Sequence, residues 1–184
     1  MLIYIHGFNS SSQSGKAREM AAWLAQRGLA ESFACPDLPH RPAQAIALLE
    51  DLIARSGCPA KLIGSSLGGF YATWLAEKHD LKAVLVNPCV DCNHKLAQCL
   101  DQPQQNWHSG EAYVFGSEHL AELQALALTP RRLANYLLLV ETGDEVLDYR
   151  EAVDFYAGAR QEVLAGGDHG FTRFAEFIPE IVAF

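Results

Sequence analysis

The stretch Lys61–Leu75, which reads KLIGSSLGGFYATWL, decides the fold because it joins a predicted strand to a predicted helix through one sharp turn. Lys61–Gly64 is a short apolar run of the length of a strand. Apolar side chains then recur at the spacing of a helix: Leu67, Phe70, Tyr71, Trp74 and Leu75. The turn itself, Gly64–Gly68, has the G-x-S-x-G pattern that is typical of a nucleophile between a strand and a helix.

The turn places Ser66 where a hydroxyl can stand clear of the sheet. Glycine at Gly64 and Gly68 leaves room for a strained backbone at the serine, because side chains there would collide with neighbouring strands or with the helix. The helix that follows Ser66 directs free N–H groups and the positive end of its dipole at the same spot. An oxyanion formed there would be stabilised by the N–H of Leu67. The alternative interpretation is a tight strand-to-helix turn without activity.

Strands and helices alternate outward from this turn in both directions. The other strand-sized runs are Leu2–His6, Ser32–Cys35, Ala83–Asn87, Tyr136–Glu141 and Gln161–Leu164. Single helices between successive strands imply right-handed crossovers and a parallel sheet that is covered on both faces. We therefore predict an α/β protein, a three-layer α/β/α sandwich with about six mainly parallel strands.

The segment Cys89–Asn135 breaks this alternation. It is rich in Gln, Asn and His, and it is too long for a plain loop. We expect one or more helices here, laid as a cap-like insertion over one end of the sheet. Its aromatic residues Trp107 and Tyr113–Phe115 could line an acyl pocket or attach the insertion to the sheet, and attachment is favoured for most of them. The chain of 184 residues has the length of one domain, so we expect residues 1–184 to form a single domain.

The composition argues against several classes of protein. The formal net charge is −8, whereas non-specific nucleic-acid and anionic-membrane binders need a basic surface. No apolar run approaches the roughly 18 residues of a membrane span, and Met1–His6 lacks the basic start of a signal peptide. Five cysteines without a secretion signal indicate reduced thiols. We expect a cytoplasmic protein with no membrane span and no nucleic-acid partner.

A serine hydroxyl is a poor nucleophile without a base, and His169 is the best placed of the seven histidines. It lies in Gly166–Phe171, a glycine-rich loop between the last predicted strand and the last helix. This loop belongs to the same edge of the parallel sheet as Ser66. An imidazole that titrates near neutrality can take the serine proton and later return it. A histidine in an ordinary surface loop is the alternative.

The third role is that of a carboxylate that fixes the imidazole tautomer. It should follow a strand between Ser66 and His169, and the strand Tyr136–Glu141 is followed by two aspartates. Asp144 comes directly after the strand and a glycine, and it is the favoured candidate. Asp148 is the alternative, although it also has the features of a residue that opens the next helix.

A second oxyanion donor is expected from the end of the first strand, which reads His6-Gly7-Phe8. Gly7 lets the backbone turn closely, so the N–H of Phe8 can face the pocket, while His6 is expected to pack beneath this loop. Lys16 and Arg18 lie near the start of the following helix. They could contact an acidic group of a substrate, although solvated helix positions are the more common role of such residues.

The cysteine-rich motif Cys89-x-x-Cys92-x-His94, with Cys99 nearby, has the ligand types of a zinc site. It lacks a matching second pair at the spacing of a zinc finger, and a domain of this size has core enough without a metal. We therefore expect no metal and interpret the cysteines as small buried apolar residues.

Taken together, these motifs resemble those of small α/β hydrolases, and specifically of the YqiA-like bacterial esterases. The segments that carry the resemblance are HGFNSS (His6–Ser11), GSSLGGFYATWL (Gly64–Leu75), VNP (Val86–Pro88), TGDEVLDYR (Thr142–Arg150) and GGDHGF (Gly166–Phe171). The resemblance implies a minimal α/β-hydrolase fold, because the HG turn at residue 6 leaves no room for the leading antiparallel strands of larger members. It also implies ester hydrolysis through an acyl-enzyme, with Ser66, Asp144 and His169 as the triad.

The expected function is therefore that of a serine esterase for small acyl esters or thioesters, which requires no metal or organic cofactor. Two alternatives remain open. A non-catalytic α/β-hydrolase scaffold could bind a ligand or a protein partner. An acyltransferase or a peptidase could use the same triad.

Overall fold

The predicted strands assemble into one central sheet in the computed structural model, which describes residues 1–184. The strands are β1 (Leu2–Ile5), β2 (Phe33–Ala34), β3 (Lys61–Ser65), β4 (Lys82–Val86), β5 (Gln102–Gln105), β6 (Ala112–Phe115), β7 (Tyr136–Glu141) and β8 (Arg160–Leu164). Six of them form a sheet in the order β2-β1-β3-β4-β7-β8. Every pair of neighbours in this sheet is parallel. The prediction of an α/β protein with six parallel strands is confirmed.

Helices cover both faces of the sheet. They are α1 (Gly15–Ala25), α2 (Pro42–Arg55), α3 (Leu67–His79), α4 (Cys92–Lys95), α5 (Ser117–Leu126), α6 (Tyr149–Phe155) and α7 (Phe174–Ala183). One core joins alternate strand side chains to α2, α3, α5 and α6, and a second core joins the others to α1 and α7. Because side chains alternate along each strand, a sheet of apolar strands buries one such core on each face. The three-layer α/β/α sandwich is thereby confirmed.

The segment Cys89–Asn135 contains the helices α4 and α5, and it also contains an antiparallel hairpin of β5 and β6 that the sequence did not predict. Gln102–Gln105 reads QPQQ, and it has neither the alternation nor the β-branched residues that mark a strand. The strand β5 is held instead by its partner strand β6 and by the loop after β1. The helices of this structure all lack the combination of length and apolar character that a membrane span requires.

The hairpin contacts the loop after β1 through a small polar network around Asn9. The Tyr113 hydroxyl donates to Asn9 Oδ1 over 2.7 Å, and Asn9 Nδ2 donates to Gln104 Oε1 over 3.0 Å. The main-chain N–H of Trp107 donates to the Asn9 carbonyl over 2.8 Å. These bonds bring the hairpin to the carboxyl end of β1, which is the edge of the sheet where α/β proteins bind their ligands.

Candidate active site

The turn between β3 and α3 holds Ser66 in a backbone conformation that residues with a side chain rarely adopt. Its φ is 55° and its ψ is −121°, a region whose occupation costs roughly 1–3 kcal/mol. Main-chain hydrogen bonds hold it there. The Ser66 N–H donates to the Val86 carbonyl over 3.1 Å, and the Ser66 carbonyl accepts from the N–H groups of Gly69 and Cys89. The strain at Ser66 is therefore compensated by the end of β4 and the first turn of α3.

Glycines around Ser66 permit backbone segments to approach one another. A Cβ added to Gly64 would lie 2.7 Å from the Gly69 Cα, and one added to Gly68 would lie 2.6 Å from the main-chain carbon of Ile5. These obstacles are backbone atoms, so no side-chain movement can relieve them. Gly7 lies against the serine itself, since its added Cβ would come within 3.2 Å of the Ser66 Cβ. The loop after β1 therefore reaches the serine closely.

The structure brings together the three side chains that the sequence analysis proposed as partners. The Nε2 atom of His169 lies 3.1 Å from Ser66 Oγ, and its Nδ1 atom lies 2.8 Å from Asp144 Oδ2. The loops that follow β3, β7 and β8 carry these residues, so the carboxyl edges of the three strands position them. An Nδ1–H that donates to the aspartate leaves Nε2 free to accept the serine proton.

The carboxylate of Asp144 is buried and strongly hydrogen bonded. Its side chain is 2% exposed, and Oδ1 accepts from the N–H groups of Val146 and Leu147 over 2.9 and 2.8 Å. Burial raises the pKa of Asp144, but the hydrogen bonds from His169 and these two N–H groups outweigh it and hold the pKa below its ordinary value. The group is thus an anion at neutral pH, which favours a protonated Nδ1 on the imidazole.

Asp148 lies apart from this cluster. It is the N-cap of α6, where Oδ1 accepts from the Arg150 N–H over 3.0 Å, and it also forms an ion pair with the Arg150 guanidinium. Of the two candidate carboxylates, the structure therefore places Asp144 against His169 and leaves Asp148 with the helix-opening role of an N-cap.

The two proposed oxyanion donors line the same cavity as Ser66 and His169. Leu67 is the first residue of α3, so its N–H belongs to the turn that has no intrahelical acceptor. The N–H of Phe8 donates no main-chain hydrogen bond.

His6 supports this loop from beneath, since its Nε2 accepts from the Leu38 N–H and its Nδ1 lies 3.0 Å from the Gly7 carbonyl. Burial lowers the pKa of His6, which keeps the ring neutral in this role.

Glu141, the last residue of β7, holds the loop of His169 and was missed in the sequence analysis. It is completely buried. Its carboxylate accepts from the main-chain N–H groups of Asp168 and Thr172, and from the Thr172 hydroxyl and Arg173 Nε. Burial raises the pKa of Glu141, but these donors, led by Arg173, bring it below the ordinary value.

Asn87 holds the same loop from the other side. Its amide Nδ2 donates to the carbonyls of Asp168 and His169 over 3.0 and 3.2 Å, and its Oδ1 accepts from the Glu141 N–H. A carboxylate that ends an otherwise apolar strand, YLLLVE, was the available signal for Glu141. Its partners come from a distant loop, however, so the sequence alone gave no reason to pair them.

A cavity of about 530 Å³ opens beside Ser66. The walls combine the loop after β1 with residues of α4 and with Trp107, which lies in the connection between β5 and β6. Trp107 lines its mouth and is 73% exposed. Tyr113 instead stacks on His40, with ring centroids 4.2 Å apart, and attaches the hairpin to the body of the domain. Of the aromatic residues in this segment, Trp107 is the one positioned to contact a bound molecule.

The cysteine-rich motif lies along the same cavity without forming a cluster of metal ligands. Cys89 and Cys92 are buried in its wall, whereas His94 is exposed and its Nδ1 lies 2.7 Å from Asp91 Oδ1. All five cysteines are free thiols. Nowhere in the structure do three His, Cys, Asp or Glu side chains come together in a manner that could hold a metal ion.

Solved structures share this architecture over nearly the whole chain. Alpha/beta hydrolase domain-containing protein 10 from mouse superposes with a TM-score of 0.74 at 15% identity, covering 99% of this chain and 88% of that one. Est1E from Butyrivibrio proteoclasticus gives 0.69 at 16% identity, covering 100% and 88%. The monoacylglycerol lipase of Paleococcus ferrophilus gives 0.68 at 13% identity, covering 99% and 93%. At these identities the likeness establishes the fold, which is that of the α/β hydrolases.

The sequence also matches a described family along its full length. That family is the uncharacterised protein family UPF0227, and the match runs over residues 1–184. The chain therefore belongs to the UPF0227 family and has an α/β-hydrolase fold.

Proposed function

We propose that this protein is a serine hydrolase that cleaves carboxylic esters or thioesters through an acyl-enzyme. The observation that carries the proposal is the imidazole of His169, which lies between Ser66 Oγ at 3.1 Å and the buried carboxylate of Asp144 at 2.8 Å. A serine is activated when a base lies within hydrogen-bond reach of its hydroxyl and an anion orients that base.

In the proposed reaction Ser66 Oγ attacks the carbonyl carbon while its proton moves to His169 Nε2. The imidazolium that forms is stabilised by the anionic Asp144. The N–H groups of Phe8 and Leu67 donate to the tetrahedral oxyanion, and each such donor typically contributes about 3 kcal/mol. Collapse of this intermediate breaks the bond to the leaving oxygen or sulfur, which receives the proton from His169. Water then attacks the acyl-enzyme while its proton moves to His169. The bond to Ser66 Oγ breaks, the serine takes back this proton, and the acid is released.

Two features favour catalysis over a scaffold that only binds. Ser66 has a strained backbone, which costs free energy that ligand binding does not require. The buried carboxylate of Asp144 lies against His169, an arrangement that orients a base and has no role in binding alone. The cavity also opens directly on the serine hydroxyl. Among the proteins of the same fold, the one from Paleococcus ferrophilus is described as a monoacylglycerol lipase, which agrees with ester chemistry on this scaffold.

The test is hydrolysis of 4-nitrophenyl butyrate together with labelling by a fluorophosphonate, which reacts with activated serines. We expect Ser66→Ala to lose the label and at least roughly 1,000-fold in kcat/KM, with an unchanged melting temperature. Ser65→Ala, which removes the neighbouring hydroxyl, is the matched control and should still be labelled. Turnover by Ser66→Ala equal to that of the wild type would end the proposal.

A further inference from the structure

The cavity beside Ser66 is lined by basic and not by acidic side chains, in contrast to the acidic composition of the molecule. The chain contains 22 acidic and 14 basic residues, excluding histidine. The cavity wall nevertheless includes two lysines, Lys16 and Lys95, and neither an aspartate nor a glutamate. A cavity that excludes carboxylates in an acidic protein is suited to a ligand that carries negative charge.

The two lysines differ in whether their charge is already neutralised. Lys95 Nζ lies 2.8 Å from Glu151 Oε1 in an ion pair. Lys16 forms no ion pair within the protein, and its Nζ donates to the Gly170 carbonyl over 2.7 Å. Burial lowers the pKa of Lys16, and the negative charges of Asp168, Glu19, Asp144 and Glu141 oppose this effect. Lys16 thus presents a partly desolvated ammonium with donors to spare.

Hydroxyl groups line the same cavity as this ammonium. Ser14 Oγ is the one buried side-chain polar atom of the protein without a hydrogen-bond partner. Tyr4 and Ser65, which are 1% and 5% exposed, line the same cavity. Buried hydroxyls normally find partners within the protein. Ser14 also lines this cavity, so its hydroxyl is suited to contact a bound anion.

The start of α1 adds to the same site. Ser14 is the N-cap of this 11-residue helix, yet its side chain does not cap the free N–H groups, and the first turn contains no acidic residue. The free N–H groups, the Ser14 hydroxyl and the Lys16 ammonium thus all belong to one end of α1, and all three kinds of group stabilise anions. Ser14 and Lys16 both line the cavity beside Ser66, which distinguishes this site from an ordinary helix terminus.

The position of Lys16 indicates which part of a substrate would meet it. Lys16 Nζ donates a hydrogen bond to the carbonyl of Gly170, the residue after His169. In the proposed reaction, His169 gives its proton to the departing oxygen or sulfur. A charge bound at Lys16 therefore lies on the leaving-group side of the scissile bond. Other parts of the wall are apolar and suit an acyl chain; they comprise Leu96, Cys99, Trp107, Val146 and Leu147.

We propose that the substrate is an ester or thioester whose leaving group carries an anion, either a carboxylate or a phosphate, bound by Lys16 and Ser14 at the start of α1. This inference rests on the proposed serine hydrolase function and adds the chemical class of the leaving group. During acylation the bond from the carbonyl carbon to the leaving atom breaks, and that atom keeps the electron pair and takes the proton of His169. The anion itself is unchanged by the reaction.

The test compares leaving groups that differ in charge. The substrates are 4-carboxyphenyl butyrate, 4-phosphonooxyphenyl butyrate and the neutral methyl ester of the first, and the readout is the kcat/KM ratio of each anionic ester to the neutral one. We expect Lys16→Met to lower this ratio roughly tenfold, and Lys16→Arg to restore most of it. Lys95→Met is the matched control and should leave the ratio unchanged, because Glu151 already neutralises that lysine. The two anionic esters show whether a carboxylate or a phosphate is preferred.

A second variant keeps the test independent of the bond between Lys16 and Gly170. Ser14→Ala removes a hydroxyl that has no partner in the protein, so it breaks no hydrogen bond of the fold, and it should lower the same ratio by a smaller factor. Equal loss for charged and neutral esters in Lys16→Met, with an unchanged ratio in Ser14→Ala, would overturn the proposal and make Lys16 a positioning residue of the His169 loop. Failure of the hydrolase proposal is distinct, because no ester would then be cleaved by the wild type.

Discussion

The turn at Ser66 and the loop at His169 present the two reacting groups, but they are held by different means. The turn is fixed by the main chain, through hydrogen bonds to Ser66 and through glycines that admit neighbouring backbone. The loop is fixed by side chains from elsewhere, chiefly Glu141 and Asn87. The place of the nucleophile is therefore encoded within a few consecutive residues, whereas the place of the base depends on partners far apart in the sequence.

For the loop of His169, the largest loss of activity is expected when the carboxylate that orients His169 is removed. We expect Asp144→Asn to lower kcat/KM on 4-nitrophenyl butyrate by roughly 10⁴-fold, because an amide favours the wrong imidazole tautomer. Steady-state kinetics measures the loss, and circular dichroism checks that the fold is retained. Asp148→Asn is the control, since Asp148 caps α6 at the surface, and its activity should stay within about twofold of the wild type. A greater loss in Asp148→Asn than in Asp144→Asn would reverse the assignment.

For the turn at Ser66, one added methyl group should be enough to destabilise the fold. A Cβ at position 68 would collide with the backbone of Ile5 and His6, so we expect Gly68→Ala to lower the free energy of unfolding by about 3 kcal/mol or more. Urea denaturation measures this change. Gly15→Ala is a suitable control, because no atom lies within 4 Å of the Cβ it would add. A Gly68→Ala protein as stable as the wild type would show that the turn tolerates bulk and is not fixed by close backbone approach.

This difference also explains what could be predicted from the sequence. The pentapeptide around Ser66 predicted a strand, a turn and a helix, because all of its determinants are local. The six-stranded parallel sheet followed from the alternation of apolar runs and amphipathic segments. The proximity of Asp144 to His169 was inferred from strand order, since the carboxyl ends of parallel strands meet at one edge.

The features that the sequence did not predict depend on contacts between distant segments. The hairpin of β5 and β6 contains the polar strand Gln102–Gln105, which has no strand-like pattern of its own. Its place is set by Asn9, almost a hundred residues earlier in the chain. Glu141 likewise ends a strand whose pattern gave no indication of Arg173 and Thr172 as partners. Such pairings become visible only when the topology brings the segments together.

Replacing Glu141 by glutamine tests whether side chains hold the His169 loop. The buried carboxylate accepts four hydrogen bonds of good length, and hydrogen bonds to a charged group contribute roughly 2 kcal/mol. We expect Glu141→Gln to lower the free energy of unfolding by about that amount at pH 7, and to lower kcat because His169 is less firmly placed. Glu145→Gln is the matched control. Glu145 contacts the same loop, since it accepts from the His169 N–H over 3.0 Å, but it is exposed. The loss of its charge should therefore cost under about 0.5 kcal/mol.

The stabilisation by Glu141 should also depend on pH, in a direction fixed by its pKa. The folded protein holds this pKa below its ordinary value, so the stabilisation is fully present above the unfolded pKa of about 4.3. It is lost as the pH falls through the lower, folded pKa. The stability difference between wild type and Glu141→Gln should therefore be constant from about pH 7 to 5 and shrink below about pH 4. Main-chain hydrogen bonds do not titrate, so the corresponding difference for Gly68→Ala should stay constant over the same range. A difference for Glu141→Gln that is equally flat into strong acid would mean that the charge of Glu141 does not hold the loop, and the two regions would then differ less than their contacts indicate.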